Sequence, residues 1–386
     1  MRMAKESSRF HAVDALRGLI MMIMAIDHVN AYVARQHSTE FWNGAISVYS
    51  SAFAFLTRLV THLCAPGFFF LMGAGVYWFA KSRQSAGWTE SRCAKRIAMR
   101  GLAVFLAGQV FETPVIFLQG QLKPPTVALS KLLMAPPNDG TAVYWGFVTL
   151  SGLGMVLVLC GLLLRLRPWA WLLTSALCVI ATNSFLPADG KIGPMWETIL
   201  FAPGISQHLL VIYPALPWLA VSALGMCFGY WWSTSERAQG RVWLWGVGML
   251  AIGIGLRMLG GWGNIVAARD GSWIEFLNNV KYPPSLVFWM LSVGTDLLLL
   301  AILMRLPEIF KSPKSPLIVF GQTPLFYYVV HFYLLECIAL AFFSEPAPLE
   351  WIYAVWAVLL VILYPICLWY RRFKLNKPAE SIWRFF

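Results

Sequence analysis

The chain has 386 residues, of which 59% are hydrophobic and only 12% are charged, and its formal net charge is +12 at pH 7. Soluble domains are nearer half apolar and a quarter charged, so this composition excludes an ordinary soluble protein and indicates a polytopic membrane protein. The positive charge does not indicate nucleic acid binding, because the basic residues cluster beside apolar segments, as in cytoplasmic loops of membrane proteins. The seven cysteines form no C-x-x-C pair, so we expect neither a disulfide framework nor a metal site.

About twenty apolar residues cross a bilayer as a helix. Segments of this kind are found near 15–34, 53–80, 97–118, 142–164, 169–186, 208–232, 242–260, 284–304, 316–343 and 350–370. The second and ninth segments contain Pro66 and Pro324, where we expect a kinked or re-entrant helix. The sequence therefore predicts an all-α membrane protein with about ten transmembrane helices, organised as a single domain over residues 1–386.

The positions of Lys and Arg predict the orientation of the chain. These residues are concentrated near both ends and in the connections at 81–96, 165–168, 233–241 and 305–315. The loops between these connections contain fewer of them and lie at 35–52, 119–141, 187–207, 261–283 and 344–349. Because cytoplasmic loops carry the excess of positive charge, we expect both termini to be cytoplasmic. The loop at 119–141 is long enough to form a lid on the opposite side.

The first apolar segment contains ionisable residues at both of its ends. Arg17 and His28 are eleven helical steps of about 100° apart, which places both on one face, roughly 16 Å apart along the axis. Asp14 lies on the same stripe, three residues before Arg17. Ionisable groups inside a membrane are costly and usually mark a site or a pathway, so we expect Arg17 and His28 to face a common cavity.

Other apolar segments also contain polar residues. Arg58 and His62 lie one helical turn apart in the second segment, and we expect Arg257 and Asp296 to form a structural ion pair between the seventh and eighth. The remaining polar residues are Gln109, Glu112, Gln322, Tyr327, Tyr328, His331 and Glu336. Each of them either locks two helices together or contributes to one polar cavity within the bundle.

Several of these residues resemble the motifs of known membrane enzymes. Asp14-Ala-Leu-Arg17-Gly18 followed by His28 has the Arg-x10-His spacing of acyltransferase-3 enzymes. The chain as a whole is more similar to a related bacterial family, which resembles heparan-α-glucosaminide N-acetyltransferase. The residues that carry this resemblance are 25–29, 56–73, 217–225, Lys281-Tyr282-Pro283-Pro284-Ser285-Leu286, and 321–331.

The resemblance implies transfer of an acetyl group from cytosolic acetyl-CoA to an acceptor across the membrane, usually an amino sugar. It also implies a catalytic histidine, a location in the bacterial inner membrane and a homodimer. Two histidines compete for the catalytic role. His28 matches the acyltransferase-3 pattern, whereas His37 precedes Trp42-Asn43-Gly44, as in the lysosomal enzyme but with a spacing two residues longer. We favour His28, with His37 as the second candidate.

Acetyl transfer assigns roles to the remaining candidates. His28 acts as a general base or as a transient acyl carrier, and Arg17, Asp14 and His62 complete the catalytic set. The residues expected to contact acyl-CoA or the oxyanion are Arg17, Arg58, Gln322, Tyr328 and His331. The basic loop at 81–96 is expected to contact the nucleotide phosphates. The partners are then acyl-CoA, an acceptor and the lipid bilayer. Two alternatives remain open: a proton-coupled transporter that uses the same residues as a relay, and a structural subunit of an envelope complex.

Overall fold

The structure is a computed structural model that describes residues 2–35, 40–43, 48–49, 51–116, 145–187, 189–378 and 381–384. Side chains are described from residue 10 onward, except those of residues 308 and 311. This part of the chain is mostly helical, with three short strands. The all-α class is therefore confirmed, and His37 and the loop at 119–141 lie outside the described residues.

The helices of the first half are α1 (Arg2–Tyr32), α2 (Ala52–Thr61), α3 (Cys64–Ser85), α4 (Glu90–Ala107), α5 (Thr149–Leu163), α6 (Pro168–Phe185) and α7 (Met195–Leu200). Those of the second half are α8 (Ala215–Trp232), α9 (Glu236–Gly240), α10 (Val242–Leu259), α11 (Trp273–Leu277), α12 (Leu286–Leu303), α13 (Pro316–Gln322), α14 (Pro324–Phe342) and α15 (Leu349–Leu375). A π-helical turn (Gly108–Glu112) extends α4, and 3-10 turns occur at Glu308–Lys311 and Ile382–Arg384. The strands are β1 (Trp145–Phe147), β2 (Gly204–Ser206) and β3 (Leu209–Val211).

Each predicted apolar segment overlaps at least one of these helices. Within the described residues, five helical stretches are long and apolar enough to cross a membrane by length and composition. They are Ala52–Ser85, Val242–Leu259, Leu286–Leu303, Pro324–Phe342 and Leu349–Leu375. These stretches support an integral membrane protein, while the count of about ten crossings and the side of each terminus stay predictions.

Both long apolar segments that contain a proline are interrupted, as expected. Helix α2 ends at Thr61 and α3 begins at Cys64, so Pro66 lies in the first turn of α3, where its missing N–H is tolerated. Helix α13 ends at Gln322, and Pro324 is the first residue of α14. The interruptions matter for the site because polar side chains next to them face the interior of the bundle.

Helices α1 and α13 pack with their backbones in contact. A Cβ atom on Gly18 would lie 1.9 Å from the carbonyl oxygen of Leu317, and one on Gly321 would lie 1.8 Å from the carbonyl oxygen of Asp14. Only glycine permits this approach, which is typical of helix pairs in membranes. The contact places the first turns of the apolar part of α1 beside the break between α13 and α14.

Two small β arrangements connect segments that lie between the helices. Strand β3 pairs with β1 in parallel and with β2 antiparallel. Separately, Phe41 forms a parallel bridge with Tyr282, and the carbonyl oxygen of Glu40 accepts hydrogen bonds of 3.0 Å from the amides of Lys281 and Tyr282. This pairing holds the segment after α1 against the segment before α12.

Candidate functional site

A cavity of about 90 Å³ lies between α1, the start of α3, the π-helical turn, the start of α5 and α14. One molecule occupies about 30 Å³ in liquid water, so this volume equals that of about three water molecules. A group of a few heavy atoms fits in such a space. Its polar lining residues are Asp27, His28, Tyr32, Thr61, Cys64, Glu112, Thr149, Tyr213, Lys281, Tyr282 and Tyr328. Apolar residues such as Phe68 and Phe332 complete the wall, so the cavity is a mostly apolar pocket with a few convergent polar groups.

Two histidines contact each other at the edge of this cavity. The Nδ1 atom of His28 lies 2.6 Å from Nε2 of His331, and Nδ1 of His331 lies 2.5 Å from the carbonyl oxygen of Tyr328. A carbonyl oxygen only accepts hydrogen bonds, so Nδ1 of His331 carries a proton. With both rings neutral, His331 accepts at Nε2 and His28 donates from Nδ1. The lone pair of His28 is then at Nε2.

Tyr328 and Glu112 form a second polar pair in the cavity wall. The hydroxyl of Tyr328 donates a 2.5 Å hydrogen bond to Oε1 of Glu112. The same carboxylate accepts from the amides of Thr149 and Leu150, at 3.2 and 2.8 Å. Glu112 therefore caps the N-terminus of α5, where the helix dipole favours a negative charge. From the sequence, Glu112 is only one of several polar residues of the apolar segments.

Arg58 is the centre of a buried ion network beside the cavity. Its Nη1 atom lies 2.5 Å from Oδ1 of Asp27, and Nε and Nη2 donate to the two carboxylate oxygens of Glu40 at 2.8 and 2.7 Å. Nε2 of His62 lies 3.4 Å from Oε1 of Glu40. All four residues are buried. Asp27 lines the cavity, whereas Arg58 and His62 do not.

Glu40 stays ionised in this network. Burial alone would raise the pKa of this carboxyl, but the bidentate Arg58 guanidinium and His62 outweigh burial and hold the pKa well below its usual value of 4.5. Glu40 is not among the residues predicted from the sequence for this site. Its signal was present, because Glu40 is the only acidic residue in the loop at 35–52 and precedes a segment that contains Arg58 and His62.

Arg17 belongs to a different cluster. Its Nη1 atom lies 2.9 Å from Oδ1 of Asp14 and donates to the carbonyl oxygen of Gly321 at 3.2 Å. Gln322 donates to Oδ2 of Asp14 at 2.9 Å, and Nζ of Lys374 donates to the carbonyl oxygen of Gln322 at 3.3 Å. None of these residues lines the cavity. The expectation that Arg17 and His28 face a common cavity is therefore wrong: both lie on one face of α1, but only His28 lines this cavity.

The expected ion pair between Arg257 and Asp296 is wrong. Arg257 lies near the end of α10, and its guanidinium donates to carbonyl oxygens of the following loop and to Oδ1 of Asn264. Asp296 lies in the middle of α12 and faces Gly67 of α3. Its carboxylate oxygens have no hydrogen-bond partner within the described ranges. Those ranges also contain no group of three or more His, Cys, Asp or Glu residues that could hold a metal ion.

Comparison with protein families connects this site with a known activity. The family described as heparan-alpha-glucosaminide N-acetyltransferase, catalytic, matches residues 9–260, which is more than half of the chain and includes most of α1 and the Arg58 network. The chain belongs to this acetyltransferase family. Comparison with individual curated proteins gives no match. Family membership and the apolar helices together support an integral membrane acetyltransferase, and they do not favour the transporter alternative.

Proposed function

We propose that this family member transfers an acetyl group from acetyl-CoA to a hydroxyl or amine in the cavity, with His28 as the group that accepts the proton. The observation that carries the proposal is the chain of hydrogen bonds from the Tyr328 carbonyl through His331 to His28. These hydrogen bonds orient the imidazole of His28, which lines the cavity, and place its lone pair at Nε2. A histidine with this lone pair is suited to general base catalysis.

In the proposed reaction, His28 moves the proton of the acceptor to the leaving thiolate. The acceptor attacks the thioester carbon while its proton moves to Nε2 of His28. The carbon–sulfur bond then breaks, and the CoA thiolate takes the proton from the imidazolium to leave as the thiol. His331 stabilises the imidazolium because its Nε2 atom accepts a hydrogen bond from the Nδ1–H group of His28. If Nε2 attacks the thioester instead, the carbon–sulfur bond breaks in that first step and CoA leaves as the thiolate. The acceptor then attacks the acetyl group and the nitrogen–carbon bond breaks, and the acceptor proton passes through the freed Nε2 to the thiolate.

The acyl donor is expected to enter from the end of α1 that carries Arg17. The side chains of Arg17 and Asp14 are 25% and 22% exposed. Lys374 belongs to the same cluster, because its Nζ donates to the carbonyl oxygen of Gln322. The cations that surround Lys374 are Arg100, Arg17 and Arg384, and the neighbouring acid is Asp14. A cluster of cations that outnumbers its acids is suited to the phosphates of CoA. The pantetheine arm would then extend along α1, over roughly the 16 Å that separate Arg17 from His28.

The acceptor and the location follow from the family and the orientation rule. We propose an amino sugar or a related sugar as acceptor, delivered from the side opposite to Arg17. We also propose a bacterial cytoplasmic membrane as the location and a homodimer as the assembly. The short loops rich in Lys and Arg support cytoplasmic termini.

Transfer of radiolabelled acetyl groups from acetyl-CoA to glucosamine tests this function. Wild type in proteoliposomes should label the amine, and the label should require acetyl-CoA rather than a pH gradient. His28→Ala should reduce the rate of labelling by about 1000-fold, while His37→Ala should retain it. Loss of transfer in His37→Ala together with full transfer in His28→Ala would move the catalytic role to His37. A wild-type protein that neither binds CoA nor transfers acetyl would overturn the proposal.

A further inference from the structure

Lys281 is a buried cation in the wall of the cavity. It is 4% exposed and lines the same space as His28. Its Nζ atom lies 5.1 Å from the centroid of the Tyr282 ring, a distance typical of a cation–π contact. Within the part of the chain that the structure describes, Lys281 forms no ion pair and its Nζ donates no hydrogen bond. Because a buried charge is costly unless it is paired, an anion bound next to this ammonium would offset that cost.

The carboxylates of the cavity already have other partners. Asp27 forms an ion pair with Arg58, and Glu112 accepts hydrogen bonds from Tyr328 and two amides. Lys281 is also the only Lys or Arg among the described residues that line the cavity. The cavity therefore presents one cation whose charge is not neutralised by a neighbouring carboxylate in direct contact.

The donors that the sequence suggested for an oxyanion are used elsewhere. Arg58 binds two carboxylates and does not line the cavity. Gln322 donates to Asp14 at the far end of α1. Tyr328 lines the cavity but has one hydroxyl proton, which it donates to Glu112. Each of these residues would have to break an existing interaction before it could stabilise a developing negative charge.

The backbone around Lys281 is fixed before any substrate arrives. The amides of Lys281 and Tyr282 donate to the carbonyl oxygen of Glu40, whose carboxylate is bound by Arg58. The Tyr282 ring, which lies beside the ammonium, stacks on Phe41 with centroids 5.0 Å apart. A charge that is positioned in advance stabilises a transition state without reorganisation during the reaction.

We infer that Lys281 binds the oxyanion of the tetrahedral intermediate, an inference that rests on the proposed acetyl transfer. When the acceptor bonds to the thioester carbon, the electron pair of the carbonyl π bond moves to oxygen, and the ammonium of Lys281 stabilises that charge. The acceptor proton goes to Nε2 of His28. Collapse re-forms the carbonyl, breaks the carbon–sulfur bond, and returns the proton to the thiolate of CoA.

Lys281→Met tests the inference in the full-length protein in proteoliposomes. We expect kcat to fall by about 100- to 1000-fold, as for the loss of an oxyanion donor, while the Kd for acetyl-CoA changes less than twofold. Lys281→Arg should recover part of kcat because it keeps a cation in place. The matched control is Lys191→Met, which removes an exposed lysine (83% exposed) from a predicted loop on the same side. It should leave kcat and KM unchanged.

Several outcomes would overturn the role of Lys281. One is a Lys281→Met protein with wild-type kcat, and another is a loss confined to KM. If Lys281→Met lowers the melting temperature, the test uses Lys281→Arg, provided that this variant is folded. A kcat of Lys281→Arg that is no higher than the kcat of His28→Ala would contradict the role of Lys281. These failures are distinct from failure of the proposed function, in which wild type itself would transfer no acetyl group.

Discussion

The two ends of the apolar part of α1 carry similar residue types in different environments. At one end, Asp14 and Arg17 pair with each other, are partly exposed, and lie where α1 contacts the α13 backbone through glycine. At the other end, Asp27 is held by a buried arginine and His28 is held by a second histidine. One end is therefore suited to a charged ligand that arrives from water, whereas the other end orients the lone pair of a neutral imidazole in a small cavity.

Removing the imidazole at the cavity end should have the largest effect. His28→Ala should lower kcat by about 1000-fold, because general base catalysis typically contributes 10²- to 10⁴-fold. Binding of acetyl-CoA, measured by calorimetry, should persist. The control is His11→Ala, which removes a histidine from the same helix about 25 Å away along the axis and should retain activity. Equal losses in both variants would contradict a specific role for His28.

The next largest effect concerns the buried ions at the cavity end. Glu40→Gln leaves Arg58 with one carboxylate fewer and should lower the free energy of unfolding by about 4 kcal/mol. Since the pKa of Glu40 is lowered in the folded protein, its contribution is complete above its usual pKa of 4.5 and is lost as the pH falls below that value. The melting temperatures of wild type and variant should therefore converge only below about pH 4.5.

Asp189→Asn is the matched control for the buried ions. Asp189 forms an ion pair with Lys191 in which both side chains are more than half exposed, so the variant should melt at nearly the wild-type temperature. A difference between wild type and Glu40→Gln that disappears as the pH rises from 6 to 8 would contradict the sign assigned here.

The glycine contact between α1 and α13 provides a test at the end of α1 that carries Arg17. Gly321→Ala puts a Cβ atom 1.8 Å from the carbonyl oxygen of Asp14, so α1 and α13 must separate. We expect a loss of about 2 kcal/mol in unfolding free energy, visible as a lower melting temperature in detergent. Gly248→Ala is the control, because among the described residues no atom beyond its chain neighbours and its own helix backbone lies within 4 Å of the new Cβ. A wild-type melting temperature for Gly321→Ala would show that the two backbones are farther apart.

The smallest effect is expected at Arg17. Arg17→Gln should raise the Kd for acetyl-CoA about tenfold, the equivalent of about 1.4 kcal/mol, and leave kcat within a factor of two. Arg167→Gln, which changes an exposed arginine of another predicted cytoplasmic connection, is the control. A loss of kcat with unchanged binding in Arg17→Gln would place Arg17 with the reacting groups and remove the contrast between the two ends.

The sequence predicted the helices better than it predicted the contacts. Apolar length and proline position depend on local physics, which is why the segments and both interruptions could be predicted. The pairing of His28 with His331 joins residues 303 positions apart, and the sequence suggested only that both face one cavity. The partner of Arg257 could not be predicted, because backbone carbonyls leave no trace in residue identity. Glu40 and Lys281 lie in loops, where hydropathy carries no information about burial.

A structure determined by electron cryo-microscopy with a non-transferable thioether analogue of acetyl-CoA tests the central claim most directly. We expect the carbonyl carbon of the analogue to lie in the cavity, about 3–4 Å from Nε2 of His28, with its oxygen directed towards Nζ of Lys281. The nucleotide should lie near Arg17. An acyl group bound beside residues 36–39, with the cavity next to His28 unoccupied, would contradict the account.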